Sequence, residues 1–504
     1  MRSGPPAADP LRDQAEDATA EPGNMEGGSL DLKVVLMDAV EAADAASGAD
    51  DHATADAQDA QPGWLRERRG LSLPEAHASL KVPGAGASPW RMMLAFVGCG
   101  AMVSVGYMDP GNWSTGLAGG ARYGYSLLCV VLLSSAAAMF LQHLALKLGV
   151  AAGRDLAQAC RDAYPRWACV PLWIMAEVAI IACDLAEVIG SAVALQLLFG
   201  LPLWAGVLVT AADVLLVMLV EGRSFRWLEL GIFALILGIF GCFVYEIVLA
   251  RPVWRDVAVG LLPTRQVFTD PSMLTIAVGI LGATVMPHNL YLHSAVIQTR
   301  AYERTPCGRR RAILYGTLDS TLALCFAFLV NAAILILAAA AFYYSDHPHR
   351  EEVDITDAYN LLAPSLGAKA ASIVFAVALL ASGQNSTITG TLAGQVVLEG
   401  FLQLEMRPWL RRLLTRGAAI VPAAAVAAAL GDAAVGRLLI ISQVVLSLQL
   451  SFAVFPLVHF TTSARFVGRH AAGRVAGAAA WALAVAIAGL NIYLLVQFGI
   501  NGGM

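Results

Sequence analysis

Two short stretches place groups able to hold a cation inside otherwise apolar runs. Met108 to Trp113 reads MDPGNW, and Met286 to Tyr291 reads MPHNLY. Each sets a proline, one residue, then an asparagine: Pro110 with Asn112, and Pro287 with Asn289. Proline removes a backbone donor and clashes with the preceding turn, so carbonyls near 106 to 109 and 283 to 286 lose their helical partners. Inside a membrane such carbonyls are tolerated only where protein, water or an ion satisfies them. An ionised Asp109 at mid-depth costs roughly 2.5 to 3.5 kcal/mol on insertion scales and so calls for a cationic partner or a transport role. The amide oxygen of Asn112, the freed carbonyl of Ala283 and the thioether of Met286 complete a mixed donor set. Oxygens alone would suit Mg2+ or Ca2+, whereas the thioether shifts preference toward transition metals. A lone methionine on an apolar helix is ordinarily packing; beside two mirrored breaks, Met286 reads as a ligand to a divalent transition metal.

The elements that must position these groups follow from composition. The chain has 504 residues, 58% hydrophobic and 14% charged, with a mean hydropathy of +0.64, values of a polytopic all-α integral membrane protein. Residues 1–88 are acidic and rich in Ala, Gly and Pro, and read as a disordered tail; residues 89–500 form the transmembrane domain. Windows long enough to span fall at about 92–120, 124–149, 168–199, 203–221, 228–250, 272–299, 311–343, 369–402, 414–430, 436–460 and 476–498, which makes eleven. Pro110 and Pro287 lie 177 residues apart, in the first and sixth of these. Those spans open two consecutive five-helix sets, about 92–250 and 272–460, with the eleventh following. Sets of odd number inserted in series have opposite topology, the mark of an inverted repeat whose paired broken helices meet near the midplane around the substrate. With the N-terminus inside, the cytoplasmic loops carry eighteen Lys and Arg against seven outside. The bias sets a cytoplasmic N-terminus and an extracytoplasmic C-terminus, with the cell membrane, a bacterial inner membrane, as the default address.

Other candidates follow. Asp184 and Glu187 stand at i, i+3 and share a helix face inside a span, which calls for pairing or protonation. Arg411, Arg412 and Arg416 are candidate partners, although anchoring by the positive-inside rule accounts for them equally well. His288 and His293 are five residues apart and no HExxH occurs, which argues against a zinc protease. The sequence offers no nucleophile and base pair and no nucleotide loop, so it does not read as an enzyme and calls for no cofactor. The partners implied are metal ions, protons and the lipid bilayer, without nucleic acid; oligomeric state is left open, with a monomer allowed.

At these residues the chain resembles the Nramp family of proton-coupled divalent metal transporters. The motifs that carry the resemblance are DPGN at 109–112, ACDLAEVIG at 182–190, ATVMPHNLYLHS at 283–294, ASGQNSTITGTLAGQ at 381–395 and SQVVLSLQL at 442–450. The resemblance covers about 92 to 460 and implies a LeuT-type 5+5 fold with unwound helices 1 and 6. It also implies a metal site of Asp109, Asn112, the Ala283 carbonyl and Met286, joined by Gln443 in some states. A proton route through His288, Asp184 and Glu187 is implied, with Asp109 as first acceptor and Arg411 and Arg412 beside it. The function expected is import of Mn2+, and of Fe2+, together with H+. The alternatives are a Mg2+-type relative, expected to lack the thioether, and a non-transporting metal sensor, expected to carry a folded signalling domain. Ser451 stands where the family often has proline, and the acidic tail is long for a bacterial member.

Overall fold

The computed structural model describes residues 70–84, 86–212, 225–344, 369–404, 406–430 and 432–501. Apolar runs become helices because a helix satisfies its own backbone groups, as a membrane interior demands. In chain order these are α1 (Pro89–Phe96), α2 (Cys99–Ser104), α3 (Pro110–Tyr123), α4 (Leu128–Ala152), α5 (Leu156–Ala163), α6 (Arg166–Phe199), α7 (Leu203–Val209) and α8 (Phe225–Ala250). The second half holds α9 (Pro271–Thr284), α10 (Pro287–Val296), α11 (Pro306–Ala338), α12 (Lys369–Leu402), α13 (Pro408–Leu430), α14 (Asp432–Thr462) and α15 (Arg474–Asn501).

Among the described residues, nine helical segments are long and apolar enough to cross a membrane, against the eleven expected. The span expected at 203–221 is described only to residue 212. That expected at 414–430 lies in α13, whose side chains toward its C-terminal end fall outside the described residues. The first and sixth expected spans are each divided at proline. The first divides into α1, α2, a 3-10 turn at Val105–Tyr107 and then α3, and the sixth into α9 and α10.

Of the expected tail, 1–88, residues 1–69 lie outside the described residues, and part of the remainder packs on the helices. Leu73 is buried in the main apolar core. A two-residue strand β1 (Leu80–Lys81) pairs in parallel with β2 (Arg300–Ala301). Ala78 donates its N–H to the Gln298 carbonyl at 3.0 Å. Such a short pairing depends on a partner more than two hundred residues away and leaves no local periodicity to read.

α6 runs through the centre, and from Ala179 to Ala194 nearly every residue is buried. Its closest approach to α3 depends on Gly190, where a Cβ would stand 2.2 Å from Pro110 Cβ. α8 lies at the periphery with one buried stripe, Glu229, Ile232, Ile236, Ile239, Phe243 and Glu246, while Leu230, Leu237 and Val248 on other faces are exposed. That narrow stripe at helical spacing is the pattern of a helix with one face on protein, the rest in position to meet lipid.

Candidate functional site

The two proline breaks come together. Asp109 is extended at φ −69°, ψ 165°, and Met286 at φ −74°, ψ 122°. Each precedes a proline, which bars its predecessor from helical geometry while offering its own fixed φ to the next helix. Asp109 thus caps α3: its carboxylate accepts from Gly111 N–H at 3.2 Å and Asn112 N–H at 3.0 Å. The Asn112 side chain links the halves. Its Nδ2 donates to Asp109 Oδ1 at 2.5 Å and to the Ala283 carbonyl at 2.9 Å.

The carbonyls released by the first break find side-chain partners. Asn331 Nδ2 donates to the Tyr107 carbonyl at 2.8 Å, and Trp113 Nε1 to that of Met108 at 3.0 Å. Ser382 Oγ also donates to the Met108 carbonyl. Gln443 on α14 lies against the start of α3, since a Cβ on Gly111 would stand 2.0 Å from its Nε2. Its Oε1 has no hydrogen-bond partner. Met286 is packed with Ala179, Ala182, Cys183 and Leu446. Asp109, Ala283, Met286 and Gln443 are all 0% exposed, so the site is sealed from solvent in this conformation. Among the described residues no group of three or more His, Cys, Asp and Glu is placed to hold a metal ion. A cation here would meet one carboxylate, neutral oxygens and a thioether rather than a zinc-type cage.

A second cluster lies beside it on α6. Arg412 Nη1 bonds Asp184 Oδ1, its Nη2 bonds Glu187 Oε2 at 2.8 Å, and Arg416 Nη1 reaches Glu187 Oε2 at 3.4 Å. Ser386 and Thr387 of α12 donate to the same carboxylate at 2.8 and 3.2 Å. Arg411 does not join them: it pairs with Glu177 at 2.9 Å, because adjacent residues on α13 point to different turns of α6. His288 Nε2 lies 3.8 Å from Cys183 Sγ, one turn from Glu187, and its Nδ1 has no hydrogen-bond partner.

Several contributors escape a sequence reading. Glu177 was findable, since it precedes Asp184 by two helical turns and so shares its face. Asn331 is a single polar residue in an apolar helix, and Ser382, Ser386 and Thr387 lie in the motif at 381–395, whose many polar residues do not show which of them turn to the site. Beneath the first break Gln142 of α4 donates to the Tyr107 hydroxyl at 2.8 Å and meets His293 Nδ1 at 3.0 Å, a tie between both halves that the spacing of His288 and His293 did not suggest.

The family model described as natural resistance-associated macrophage protein-like, Nramp, matches residues 100–497. The chain is 56% identical over 430 residues to the divalent metal cation transporter MntH of Xylella fastidiosa, covering 85% of this chain and 90% of that protein. It is 52% identical over 436 residues to the transporter of the same name from Agrobacterium fabrum, covering 86% and 94%. Among solved structures it is similar to the Eremococcus coleocola manganese transporter bound to an aromatic bis-isothiourea substituted compound. There the identity is 40%, the TM-score 0.77 and the coverage 84% of this chain and 90% of that one. Mhp1, a nucleobase-cation-symport-1 family transporter, shares the fold at 13% identity and a TM-score of 0.54, over 83% of this chain and 92% of its own.

Proposed function

The chain belongs to the Nramp family, and on that premise we propose that it imports divalent transition-metal ions, Mn2+ and also Fe2+, together with protons. It is a multi-pass membrane transporter and not an enzyme. The address proposed is the bacterial inner membrane, with a cytoplasmic N-terminus and an extracytoplasmic C-terminus, as the distribution of Lys and Arg favours.

The observation that carries this reading is the bridge at the paired breaks. One NH2 group, Asn112 Nδ2, stands between a carboxylate oxygen of Asp109 and the carbonyl of Ala283. It is a donor held between two acceptors, one of them anionic, in a sealed pocket. A divalent cation satisfies the same two oxygens if the amide turns to offer Oδ1 instead, a side-chain rotation with no backbone cost. The thioether of Met286 and the unpartnered Oε1 of Gln443 then complete a site of mixed hardness, which favours Mn2+ or Fe2+ over Mg2+. Ala283 contributes from the C-terminal end of α9, where unpaired carbonyls favour a cation.

Transport follows by rocking of the broken helices around this site. A proton and the metal compete for Asp109, and the displaced proton has an onward path in His288, Asp184 and Glu187, beside Arg412. The test is Mn2+ uptake into proteoliposomes holding the purified chain, with an inward proton gradient and excess Mg2+ outside. Uptake that persists against Mg2+ and acidifies the lumen is expected. Uptake erased by Mg2+ would replace this reading with the Mg2+-type alternative, and absence of uptake of either ion by folded protein would replace it with a sensor.

A further inference from the structure

The buried stripe of α8 begins and ends in an acid. At its inner end Glu229 is clasped on both oxygens, by Arg300 Nη1 at 2.6 Å and by Arg226 Nη1 at 3.1 Å. At its outer end Glu246 is 0% exposed, and neither Oε1 nor Oε2 has a hydrogen-bond partner. Its neighbour on the buried stripe is aromatic. Phe243, one turn earlier on the same stripe, meets the Trp113 ring edge-on at 4.8 Å, and Trp113 meets Phe375 of α12 at 5.2 Å.

Among the described residues no charge compensates Glu246 from the helices around it. α2, α11 and α12 pack on α8, and Trp113 brings α3 alongside. α2 carries Cys99; α11 carries Cys307, Arg309, Arg310, Arg311, Tyr315 and Asp319 toward its inner end, and Cys325 beyond. Asp319 is bonded to Gly100 N–H at 2.6 Å. α12 has Lys369 and Glu399 at its two ends, and α3 has Asp109 at its cap and Arg122 and Tyr123 at its far end. On α8 itself Cys242 lies one turn back and Tyr245 adjacent. Among the described residues none forms a hydrogen bond or ion pair with Glu246.

An ionised carboxylate without cation or donor is not tolerated in such a place, so Glu246 holds its proton in this sealed conformation. That carboxyl makes no bond for the fold, and the rest of the stripe between the two acids is Ile and Phe; packing alone gives no reason for an acid. α8 ends at Ala250, one turn further on, so a small parting of the outer ends brings water to it. We propose that Glu246 is a second proton-binding site of the transport cycle, exchanging with the outer face. When the outer ends part, its O–H bond breaks and the proton passes to entering water; resealing requires that it be taken up again. This rests on the reading of the chain as a proton-coupled importer.

The test compares the native chain with Glu246→Gln, which keeps the size and fixes the neutral form, in proteoliposomes across external pH. Mn2+ uptake by Glu246→Gln should persist but lose the part of its external-pH dependence that Glu246 supplies. Glu246→Asp should keep that dependence with its midpoint displaced. Superimposable profiles for Glu246→Gln and the native chain overturn the proposal. So does an unchanged profile with a raised KM for Mn2+, which would make the acid an attractor of metal. If Glu246→Gln does not fold, an unmoved midpoint in Glu246→Asp overturns it equally. A native chain that takes up no Mn2+ overturns the transport reading instead. The proton site is then judged by isotope-edited infrared spectra of the purified native chain at neutral pH and of Glu246→Asp. A protonated-carboxyl band displaced by that substitution supports the site, and no such band overturns it.

Discussion

Asp109 and Glu187 are both carboxylates at 0% exposure, yet their surroundings differ in kind. Glu187 is held by the guanidinium groups of Arg412 and Arg416 and by two hydroxyls. Asp109 has only dipoles: the N–H groups of Gly111 and Asn112, and the Asn112 amide. A carboxylate compensated by resident cations has little left for a visiting one. A carboxylate compensated by dipoles at a helix N-terminus keeps its net charge available. The difference supports the proposal that the metal goes to Asp109 and that the α6 acids serve as a proton relay or a fixed strut.

The largest effect that can break this division is at Asp109. Asn is as good a helix cap as Asp, so Asp109→Asn should leave thermal stability near that of the native chain while abolishing Mn2+ uptake in proteoliposomes. Retained uptake would mean that the carboxylate is only a cap. The converse experiment is at the other acid. Arg412→Ala leaves Asp184 and Glu187 buried beside one remaining guanidinium, and removing one member of a buried ion pair costs about 3 to 5 kcal/mol. A large fall in melting temperature in detergent is expected. Replacing Glu187 by Gln in the same chain should restore part of it, since the uncompensated charge is the source of the loss. No fall would show that water reaches the cluster.

The division was partly legible in the sequence. Both breaks could be read because proline acts on its immediate neighbours, and an acid beside it inside an apolar run is too costly to stand there for packing alone. The pairing of the α6 acids with an arginine on the ninth expected span was also readable as a possibility. Which arginine was not: the choice between Arg411 and Arg412 depends on the rotation of α13 against α6, two helices more than two hundred residues apart. The residues that satisfy the freed carbonyls, Asn331 and Ser382, were hidden for the same reason. The pairing of Leu80–Lys81 with Arg300–Ala301 was not legible because a two-residue strand has no period.

A smaller effect sharpens the comparison at the metal side. If the site is defined by a carboxylate and a thioether together, Met286→Ala should spare part of the Mn2+ uptake while weakening discrimination against Ca2+ and Mg2+, since the oxygens remain. Competition of unlabelled Ca2+ against Mn2+ uptake measures this directly. Equal competition in native and variant chains would reduce Met286 to the packing residue that its contacts with Ala179, Cys183 and Leu446 also allow.

The smallest effect is at Arg411, and it tests whether the two neighbouring arginines differ as their partners do. Glu177 retains 19% of its side-chain exposure, whereas Asp184 and Glu187 retain 1% and 0%. When Arg411 is removed, Glu177 can turn to water, so Arg411→Ala should cost clearly less than Arg412→Ala. Uptake should stay near the native rate at all external pH values. A loss as large as that of Arg412→Ala would mean that Glu177 belongs to the same electrostatic unit as Glu187. The proposed relay would then extend along α6 from Glu187 back toward Arg166, with Arg411 inside it rather than beside it.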